Sequence, residues 1–454
     1  MPPPASFSIL WWMHAFSAQA TVSGMAQVDQ VDHLNQTDLC CAKTAISGAK
    51  AALLAVAFCA SVSVLCVAVP TYVIRPFRPQ GARELALALA LRQSGPLIAG
   101  VCTVLAVLIV VLVWQRMSAR AVRIGLITGV ALACTAAVLT HINIFEHMFH
   151  PYDSPAFDAA SAASVEPDDM VMAVKVGTDS RAYPIRAMGY HHIVNDTVGG
   201  VPIAATYCTL CHTGLVWKRL VDGRTLRFRL AGINNGNALM RDEQSGTIWQ
   251  QTTGLAIFGP LKGTQLEQLH SDELTFALWR REQPTGLVLR PNAEFVSEYE
   301  SKQWEQHIAK YRSVIDTSRT GIAPRELMIG VSTSGTSKAY PLQLVLAEKM
   351  IQDRIGPDRV LLLVGPDNIS IRAFRTQAGG ANAQNSSTFI RQGEGSAQSS
   401  ERLLIDTETG SAWNFQGCAV AGKLTGQCLE PLNATKDYWF DWLNYHPSTT
   451  VYRN

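Results

Sequence analysis

Cys208 and Cys211 form the Cys-x-x-Cys pair of this chain, and their spacing suggests two kinds of chemistry. Two thiolates at this spacing on a turn can bind one soft transition-metal ion, with an imidazole completing the ligand shell. The same spacing suits a dithiol that cycles with a disulfide. His191 and His212 supply the imidazoles, so the predicted metal ligands are Cys208, Cys211, His191 and His212.

Two further interpretations of the pair come from other classes of protein. A Cys thiolate with a nearby His as base is the arrangement of a nucleophilic enzyme, and a plain disulfide is the arrangement of a scaffold. Cys208 to His212 also has the spacing of covalent haem attachment. Both flanks read as strands, so covalent haem is not expected. If a metal binds, zinc or copper is the expected ion.

Cys418 and Cys428 are the second pair of interest. They lie in a segment that reads as two short strands around a Gly-Lys-Leu-Thr-Gly turn. In an oxidising compartment such a pair closes a small loop, which stabilises a fold by roughly 2–3 kcal/mol on chain-entropy grounds. We therefore predict a disulfide between them.

Short β-type runs surround the Cys-x-x-Cys pair. Segments such as 201–207, 214–217, 226–230 and 360–364 are rich in β-formers and bounded by Gly, Asp or Asn, which is typical of strands and turns. A helix is expected after each Tyr-Pro, at 185–192 and 342–350. The stretch 377–400, rich in Gly, Ala, Gln and Ser, is expected to be an insertion.

Sequence markers recur in the same order along the second half of the chain. Ala182-Tyr183-Pro184 is answered by Ala339-Tyr340-Pro341, and Asp242 with Trp249 by Asp406 with Trp413. Such order predicts a tandem duplication. The second copy contains no Cys-x-x-Cys, which suggests one working half and one structural half.

Three apolar stretches precede the β-rich part, at about 51–74, 95–114 and 124–145. Each is long enough to cross a ~30 Å hydrocarbon core as a helix. We expect an α+β protein: an uncertain N-terminal segment (1–46), a membrane anchor with about three transmembrane helices (47–147), a first repeat (165–293), a helical linker (294–323) and a second, degenerate repeat (324–454). The Lys and Arg counts on the two sides of the anchor are nearly balanced and do not set its orientation.

The first repeat resembles a known bacterial family. The matching segments are Ala182-Tyr183-Pro184, His191-x-Ile193-Val194-Asn195-Asp196, Gly199-Gly200-x-Pro202, Thr206-Tyr207-Cys208-x-Leu210-Cys211-x-Thr213, Trp249-x-Gln251 and Gly259-Pro260-Leu261-x-Gly263-Thr264. Over about 168–289 they resemble the domain-of-unknown-function family 3179, with a weaker repeat at 324–454. This chain departs from the family pattern at His212, where Gly is usual, and at Thr209, where Pro is common.

The resemblance implies a protein exported from the cytoplasm or tethered to the membrane, with no settled activity. It adds weight to His191, and it marks Asn195, Asp196 and Gln251 as pocket candidates, beside Asn235 in the Gly232–Asn237 loop. Asn195 and Asp196 can also build an Asx turn, and Asn235 a tight loop. Whether these residues line a pocket or only shape the backbone stays open.

The expected function is therefore that of an extracytoplasmic domain anchored in the inner or plasma membrane, which binds a metal ion or does thiol redox chemistry at Cys208 and Cys211. Whether the chain is an enzyme is open. A net charge of +2 with no basic cluster argues against nucleic acid as a partner. The membrane is the one partner expected, and protein partners are not identified.

Overall fold

The computed structural model describes residues 36–313, 315–376, 388–392 and 402–453, with side chains from residue 47 onward. The chain divides into two compact units. Among the described residues, a helical unit comprises those up to 74 together with 81–142, and a β-rich unit comprises 75–80 and those from 143 onward. The expectation for residues 1–46 lies outside the described residues, apart from the helix backbone that begins at Gln36.

The helical unit contains three long helices: α1 (Gln36–Val73), α2 (Ala82–Val113) and α3 (Arg120–Leu139). Three segments are long and apolar enough to cross a membrane, Ser47–Val73, Ala82–Arg116 and Arg120–Leu139. The helix α2 begins earlier than predicted because the Ala- and Leu-rich residues before Gly95 are strong helix formers. The helix α3 ends at Leu139, short of the predicted boundary, because the chain turns before the short helix α4 (Ile144–Met148).

Small residues set the packing within this unit. A Cβ atom on Gly129 of α3 would lie 2.5 Å from Cγ1 of Val56 in α1, so only glycine permits this approach. Close helix contact through small residues is typical of helices that pack in lipid, where no hydrophobic effect drives them together.

The amino-terminal half of the β-rich unit runs from residue 157 to residue 289. Its helices are α5 (Ile185–His191) and α6 (Phe276–Glu282). Its strands are β1 (Phe157–Ala159), β2 (Met170–Val176), β3 (Asp179–Pro184), β4 (Ile193–Val198), β5 (Val201–Cys208), β6 (Thr213–Lys218), β7 (Leu220–Val221), β8 (Arg224–Thr225), β9 (Phe228–Asn234), β10 (Asn237–Asp242), β11 (Ile248–Gln250), β12 (Ala256–Phe258), β13 (Gln268–Leu269), β14 (Ser271–Thr275) and β15 (Leu287–Leu289). They form sheets in the orders β1-β15-β3-β2-β14, β13-β6-β5-β4 and β12-β11-β10-β9, with a small β7-β8 ribbon.

The carboxy-terminal half runs from residue 327 to residue 451. Its helices are α8 (Leu342–Glu348) and α9 (Trp439–Tyr445), after the short α7 (Trp304–Ile308) of the connection. Its strands are β16 (Leu327–Thr333), β17 (Thr336–Pro341), β18 (Met350–Ile355), β19 (Asp358–Val364), β20 (Ile371–Arg375), β21 (Phe389–Arg391), β22 (Leu404–Asp406), β23 (Ala412–Trp413), β24 (Ala419–Ala421), β25 (Glu430–Leu432), β26 (Ala434–Tyr438) and β27 (Thr450–Val451). The sheet orders are β26-β16-β17-β27, β18-β19-β20-β25 and β21-β22-β23-β24.

The two halves use the same side-chain contacts at corresponding strands. The Tyr183 hydroxyl donates to Asp196 at 2.7 Å, and the Tyr340 hydroxyl donates to Asp353 at 2.9 Å. The Trp249 indole donates to Asp242 at 2.8 Å, and the Trp413 indole donates to Asp406 at 2.9 Å. Each half therefore contains one Tyr–Asp and one Trp–Asp contact of this kind.

The connection between the halves has less helix than the linker predicted at 294–323. It contains α7 and two single 3₁₀ turns, Val296–Glu298 and Ser318–Thr320. Most of the insertion expected at 377–400 lies outside the described residues, but β21 falls within it and pairs with β22.

Candidate dithiol site

The Cys-x-x-Cys pair sits on the tight turn between β5 and β6. Cys208 is the last residue of β5 and pairs with Thr213, the first residue of β6. The turn brings the two sulfur atoms to 3.5 Å, and His212 completes it with a φ of +65°. Both thiols are free, and their residues are only 2% and 0% exposed.

The β9–β10 loop supplies the first polar neighbour of the sulfur atoms. The carbonyl oxygen of Gly236 accepts from Sγ of Cys211 at 2.9 Å and lies 3.8 Å from Sγ of Cys208. Asn235 and Gly236 both have positive φ, which aims this carbonyl at the turn. Gln80 fixes the loop, because its side chain accepts from the Asn235 N–H while the Asn235 side chain accepts from the Gln80 N–H.

Two carboxylates from the carboxy-terminal half face the same turn. Asp437 of β26 and Asp441 of α9 are 1% and 0% exposed. The Thr213 hydroxyl lies 2.9 Å from Oδ1 of Asp437 and 3.2 Å from Oδ2 of Asp441. The Asn237 amide donates to Asp441 at 2.9 Å, and Asp441 lies within hydrogen-bonding reach of the Cys211 thiol.

Backbone contacts hold the turn against this second half. The Tyr438 N–H donates to the Cys211 carbonyl at 2.9 Å. Arg325 donates to the Leu210 carbonyl at 2.8 Å, and its guanidinium lies over the rings of Tyr438 and Phe440. The site is therefore built from both halves. The carboxy-terminal half fixes the residues between the two cysteines.

Burial controls the protonation of the acidic groups here. It raises the pKa of the Cys211 thiol well above its usual value, and the hydrogen bond with Cys208 adds to this. Burial likewise raises the pKa of Asp437 well above its usual value. It raises the pKa of Asp441 to about 7, although hydrogen bonds from Asn237 and Thr213 oppose the rise.

The two predicted imidazole ligands are held elsewhere. Nδ1 of His191 lies 2.6 Å from the His150 carbonyl, and Nε2 lies 3.0 Å from the Tyr299 hydroxyl. His212 lies with Nδ1 at 3.1 Å from the Tyr207 hydroxyl and Nε2 at 2.7 Å from Glu305. Each ring nitrogen thus has another partner, which does not favour either histidine as a ligand or as the base for a cysteine.

No three His, Cys, Asp or Glu side chains are placed to hold one metal ion, within the residues that the structure describes. The residues present therefore do not fit the predicted metal centre, and metal binding stays a prediction. Cys418 and Cys428 are joined by a disulfide in the structure.

Asn195 and Asp196, two of the four pocket candidates, make structural contacts. Asn195 pairs with the backbone of Phe228 in both directions, at 2.9 Å each. Asp196 accepts from the Tyr183 hydroxyl and from the N–H of Thr197. Both bind strands together, away from the thiols.

Asn235 and Gln251 lie beside the thiol pair. Asn235 shapes the loop that carries Gly236. The Gln251 amide donates to the Thr206 hydroxyl at 3.1 Å and to the Thr213 carbonyl at 3.2 Å, so it supports the start of β6 next to the turn. These two candidates border the site, and neither contacts a sulfur atom.

Sequence reasoning missed Asp437 and Asp441. The strand registers place Asp437 where the amino-terminal half has Leu274. The helices that follow, α6 and α9, place Asp441 where that half has Leu278. An acid in place of a core leucine was the available signal, since the helix carrying Trp279 and that carrying Trp442 match in sequence.

Comparison with known proteins identifies the family. Residues 149–449 match the model described as "Protein of unknown function (DUF3179)". Neither the curated proteins nor the solved structures give a match. The match spans both halves, beyond the 168–289 resemblance noted from motifs alone. The chain therefore belongs to the DUF3179 family of proteins of unknown function.

Proposed function

We propose that Cys208 and Cys211 form a reactive dithiol that exchanges with disulfides. The observation that carries this proposal is the pair of free sulfur atoms 3.5 Å apart on one turn, close enough to bond after a small rotation. In the exchange, Cys208 attacks a disulfide R–S–S–R′, forms a mixed disulfide and releases R′SH. Cys211 then attacks the mixed disulfide, closes the Cys208–Cys211 bond and releases RSH.

Cys208 is assigned the first attack because Cys211 is held more tightly. The Cys211 thiol is directed at Gly236 and its carbonyl at Tyr438, and the residue is fully buried. Cys208 retains slight exposure, so an incoming disulfide reaches it when the turn opens locally.

We infer that the three apolar helices anchor the β-rich unit in a membrane. Their length and composition support this. Residues 75–80, between α1 and α2, belong to the β-rich unit, and so does the chain from residue 143 onward. An odd number of spans then separates the start of α1 from the β-rich unit.

The extracytoplasmic side is favoured for the β-rich unit by the exported character of similar proteins and by the Cys418–Cys428 disulfide. An export-dependent reporter fused after Asn454 is expected to be active. Activity of a cytoplasm-only reporter at that position would reverse the orientation.

We also infer that the two halves arose by tandem duplication. The matching sheet orders and the paired Tyr–Asp and Trp–Asp contacts support this. Superposition of the halves in an experimental structure should align Tyr183 with Tyr340 and Trp249 with Trp413. Failure of that alignment would remove the inference.

The redox proposal is tested on the full chain in mild detergent, with the six cysteines outside the two pairs replaced by alanine. The protein is equilibrated in buffers with different ratios of reduced to oxidised glutathione. Its free thiols are then alkylated, and the intact mass of the chain is measured. We expect one reversible disulfide per chain, in addition to Cys418–Cys428, and its loss in Cys208→Ser or Cys211→Ser.

The controls separate this function from its rivals. The double variant Cys208→Ser, Cys211→Ser should keep the melting temperature of its parent, whereas loss of folding would mark the pair as a structural disulfide. The same samples are assayed for zinc and copper. One metal ion per chain that depends on both cysteines, with no reversible disulfide, would replace the redox proposal with a metal site.

A further inference from the structure

A single hydroxyl group lies between two buried carboxylates beside the thiol pair. Oγ1 of Thr213 is 2.9 Å from Asp437 and 3.2 Å from Asp441. A threonine hydroxyl has one proton and can donate only one hydrogen bond. Two charged carboxylates cannot both be satisfied by it, so one of the two acids must carry a proton and donate to the hydroxyl oxygen.

More donors face Asp441 than Asp437, which assigns that proton to Asp437: besides Thr213, Asp437 has only the backbone N–H of Tyr438 as a donor within the described residues. Oδ2 of Asp441 already accepts from the Asn237 amide at 2.9 Å and lies 3.5 Å from the Thr252 hydroxyl. The Asp441 carboxylate is therefore the acceptor at the end of this chain of hydrogen bonds. The order is Asp437 carboxylic acid to Thr213 hydroxyl to Asp441 carboxylate.

Asp441 still has room for a proton. Its Oδ1 is buried and has no hydrogen-bond partner within the described part of the chain. The Cys211 thiol, within reach of this carboxylate, instead points at the Gly236 carbonyl. Rotation of the S–H bond from Gly236 toward Asp441 would place a proton donor against an unsatisfied acceptor.

We propose that Asp441 is the internal proton acceptor for Cys211, and that protonated Asp437 positions it through Thr213. This rests on the dithiol function proposed above and assigns its pH control to the carboxy-terminal half. Because Cys211 is sealed from water, its proton cannot leave to solvent. The proton passes to Asp441, the resulting thiolate attacks the mixed disulfide on Cys208, and the leaving RS⁻ takes up this proton as RSH, which restores the Asp441 carboxylate.

The other ionisable groups at the site are compatible with this role. Cys208, Asp437, Tyr438 and Tyr445 face the Cys211–Asp441 pair, and each is neutral when protonated. Arg325 provides a positive charge close to both sulfur atoms and to Asp441. That charge favours a single negative charge shared between Asp441 and Cys211.

Packing alone does not account for the two acids. The corresponding positions in the amino-terminal half are the buried leucines Leu274 and Leu278. The turn that corresponds to Cys208–Cys211 runs from Gly365 to Asn368 and contains no cysteine. At these two positions, acids thus replace leucines on the side that faces the thiols.

The test uses the cysteine-replaced full chain, reduced, with Cys418–Cys428 intact, and 4,4′-dithiodipyridine as the oxidant. Each chain releases one pyridinethione when Cys208 attacks the oxidant and a second when Cys211 closes the disulfide, so absorbance resolves two phases. We expect the second phase of the parent to rise with a midpoint near pH 7. Asp441→Asn should slow this phase at least tenfold at pH 7 and remove the midpoint, with the first phase unchanged.

The role of Asp437 gives a second, separate readout. An amide can replace a protonated acid as donor, so Asp437→Asn should change the second phase less than threefold, whereas Asp437→Leu should slow it like Thr213→Val. Thr213→Ser, which keeps the hydroxyl, should restore the rate. Asp367→Asn is the matched control. Asp367 lies in the corresponding turn of the carboxy-terminal half, which has no thiol, and accepts from Thr275 of the amino-terminal half at 2.7 Å.

The outcomes distinguish the two proposals. A parent protein with no second phase overturns the dithiol function itself. A normal second phase that keeps its rate and midpoint in folded Asp441→Asn overturns only the role of Asp441. If Asp441→Asn does not fold, Thr213→Val decides: an unchanged midpoint contradicts the inference. Equal slowing by Asp367→Asn would make the effect structural and also overturn it.

Discussion

At the scale of single residues, burial turns ordinary side chains into a coupled acid cluster. Asp441 would be ionised at pH 7 on a surface, but at 0% exposure its pKa rises to about 7. Burial also raises the pKa of Asp437 well above its usual value, which favours the protonated form that the proposed chain of hydrogen bonds requires. The same carboxyl group thus has different roles at two positions four residues apart, one in β26 and one in α9.

The raised pKa of Asp441 predicts a pH-dependent stability. An unfolded Asp has a pKa of about 3.9, so between there and pH 7 the folded chain binds more protons than the unfolded one. The free energy of unfolding therefore falls as pH rises through this range, by at most about 1.4 kcal/mol per pH unit for one proton. Asp441→Asn should flatten the fall between pH 5 and 7, measured by denaturant titration in detergent.

Asp367→Asn serves as the control for this slope. Hydrogen bonds from Ser370 and Thr275 hold the pKa of Asp367 below its usual value against the effect of burial. Its contribution therefore changes only at acidic pH, and the slope between pH 5 and 7 should stay as in the parent. An unchanged slope in Asp441→Asn would count against the raised pKa of Asp441.

Sequence spacing predicted the thiol pair but not its neighbours. Cys208 and Cys211 are local, because a tight turn between two strands fixes their distance. Asp437 and Asp441 come from more than 220 residues further along the chain, and only the tertiary fold brings them to the turn. The histidines show the opposite case. His191 and His212 are close to the cysteines in sequence, but the ring of His191 contacts Tyr299 and that of His212 contacts Glu305.

At the scale of elements, local pattern predicted strands better than it predicted pairing. The β-type runs at 201–207, 214–217 and 360–364 lie in β5, β6 and β19, and the Tyr-Pro steps begin α5 and α8. The parallel pairing of β15 with β3 joins segments about a hundred residues apart. No short motif encodes that pairing, since it depends on how the sheets close around the shared core.

Arg372 of β20 shows how elements of the two halves lock together. Its guanidinium donates to Asp272 of β14 at 2.9 Å and to Glu282 of α6 at 2.8 and 2.9 Å, while the residue is 8% exposed. Loss of one member of a buried ion network leaves uncompensated charge, at a cost of about 3–5 kcal/mol. Arg372→Met should lower the free energy of unfolding by that amount.

A surface pair provides the comparison for Arg372. Arg290 donates to Asp158 at 2.9 Å but is largely exposed, so its ion pair is screened by water and salt. Arg290→Ala should leave the denaturation midpoint close to that of the parent. If Arg372→Met and Arg290→Ala lost similar amounts of unfolding free energy, burial of the Arg372 network would add nothing to stability.

At the scale of the whole molecule, the halves of the β-rich unit share their cores. Tyr438 and Phe440 lie in the core cluster of the amino-terminal half, together with Tyr207 and Leu215. A second cluster combines Trp279 with Phe374. The expectation of one working half and one structural half therefore understates the second half, which supplies both acids and part of the core.

This shared core predicts that the β-rich unit folds as one. A chain that stops after residue 323 loses Tyr438, Phe440 and Arg372, so the amino-terminal half should not retain its core. Its Cys208 and Cys211 should then react with an alkylating agent as fast as in denaturant, whereas the full chain protects them. A protease site placed at the exposed stretch Val296–Glu298 gives the control. Cutting there leaves all of these contacts present, so the cleaved chain should stay associated and keep both thiols protected.

Calorimetry of the full chain should show one unfolding transition for this unit. Two separate transitions, or protected thiols in the truncated chain, would show that the amino-terminal half folds by itself.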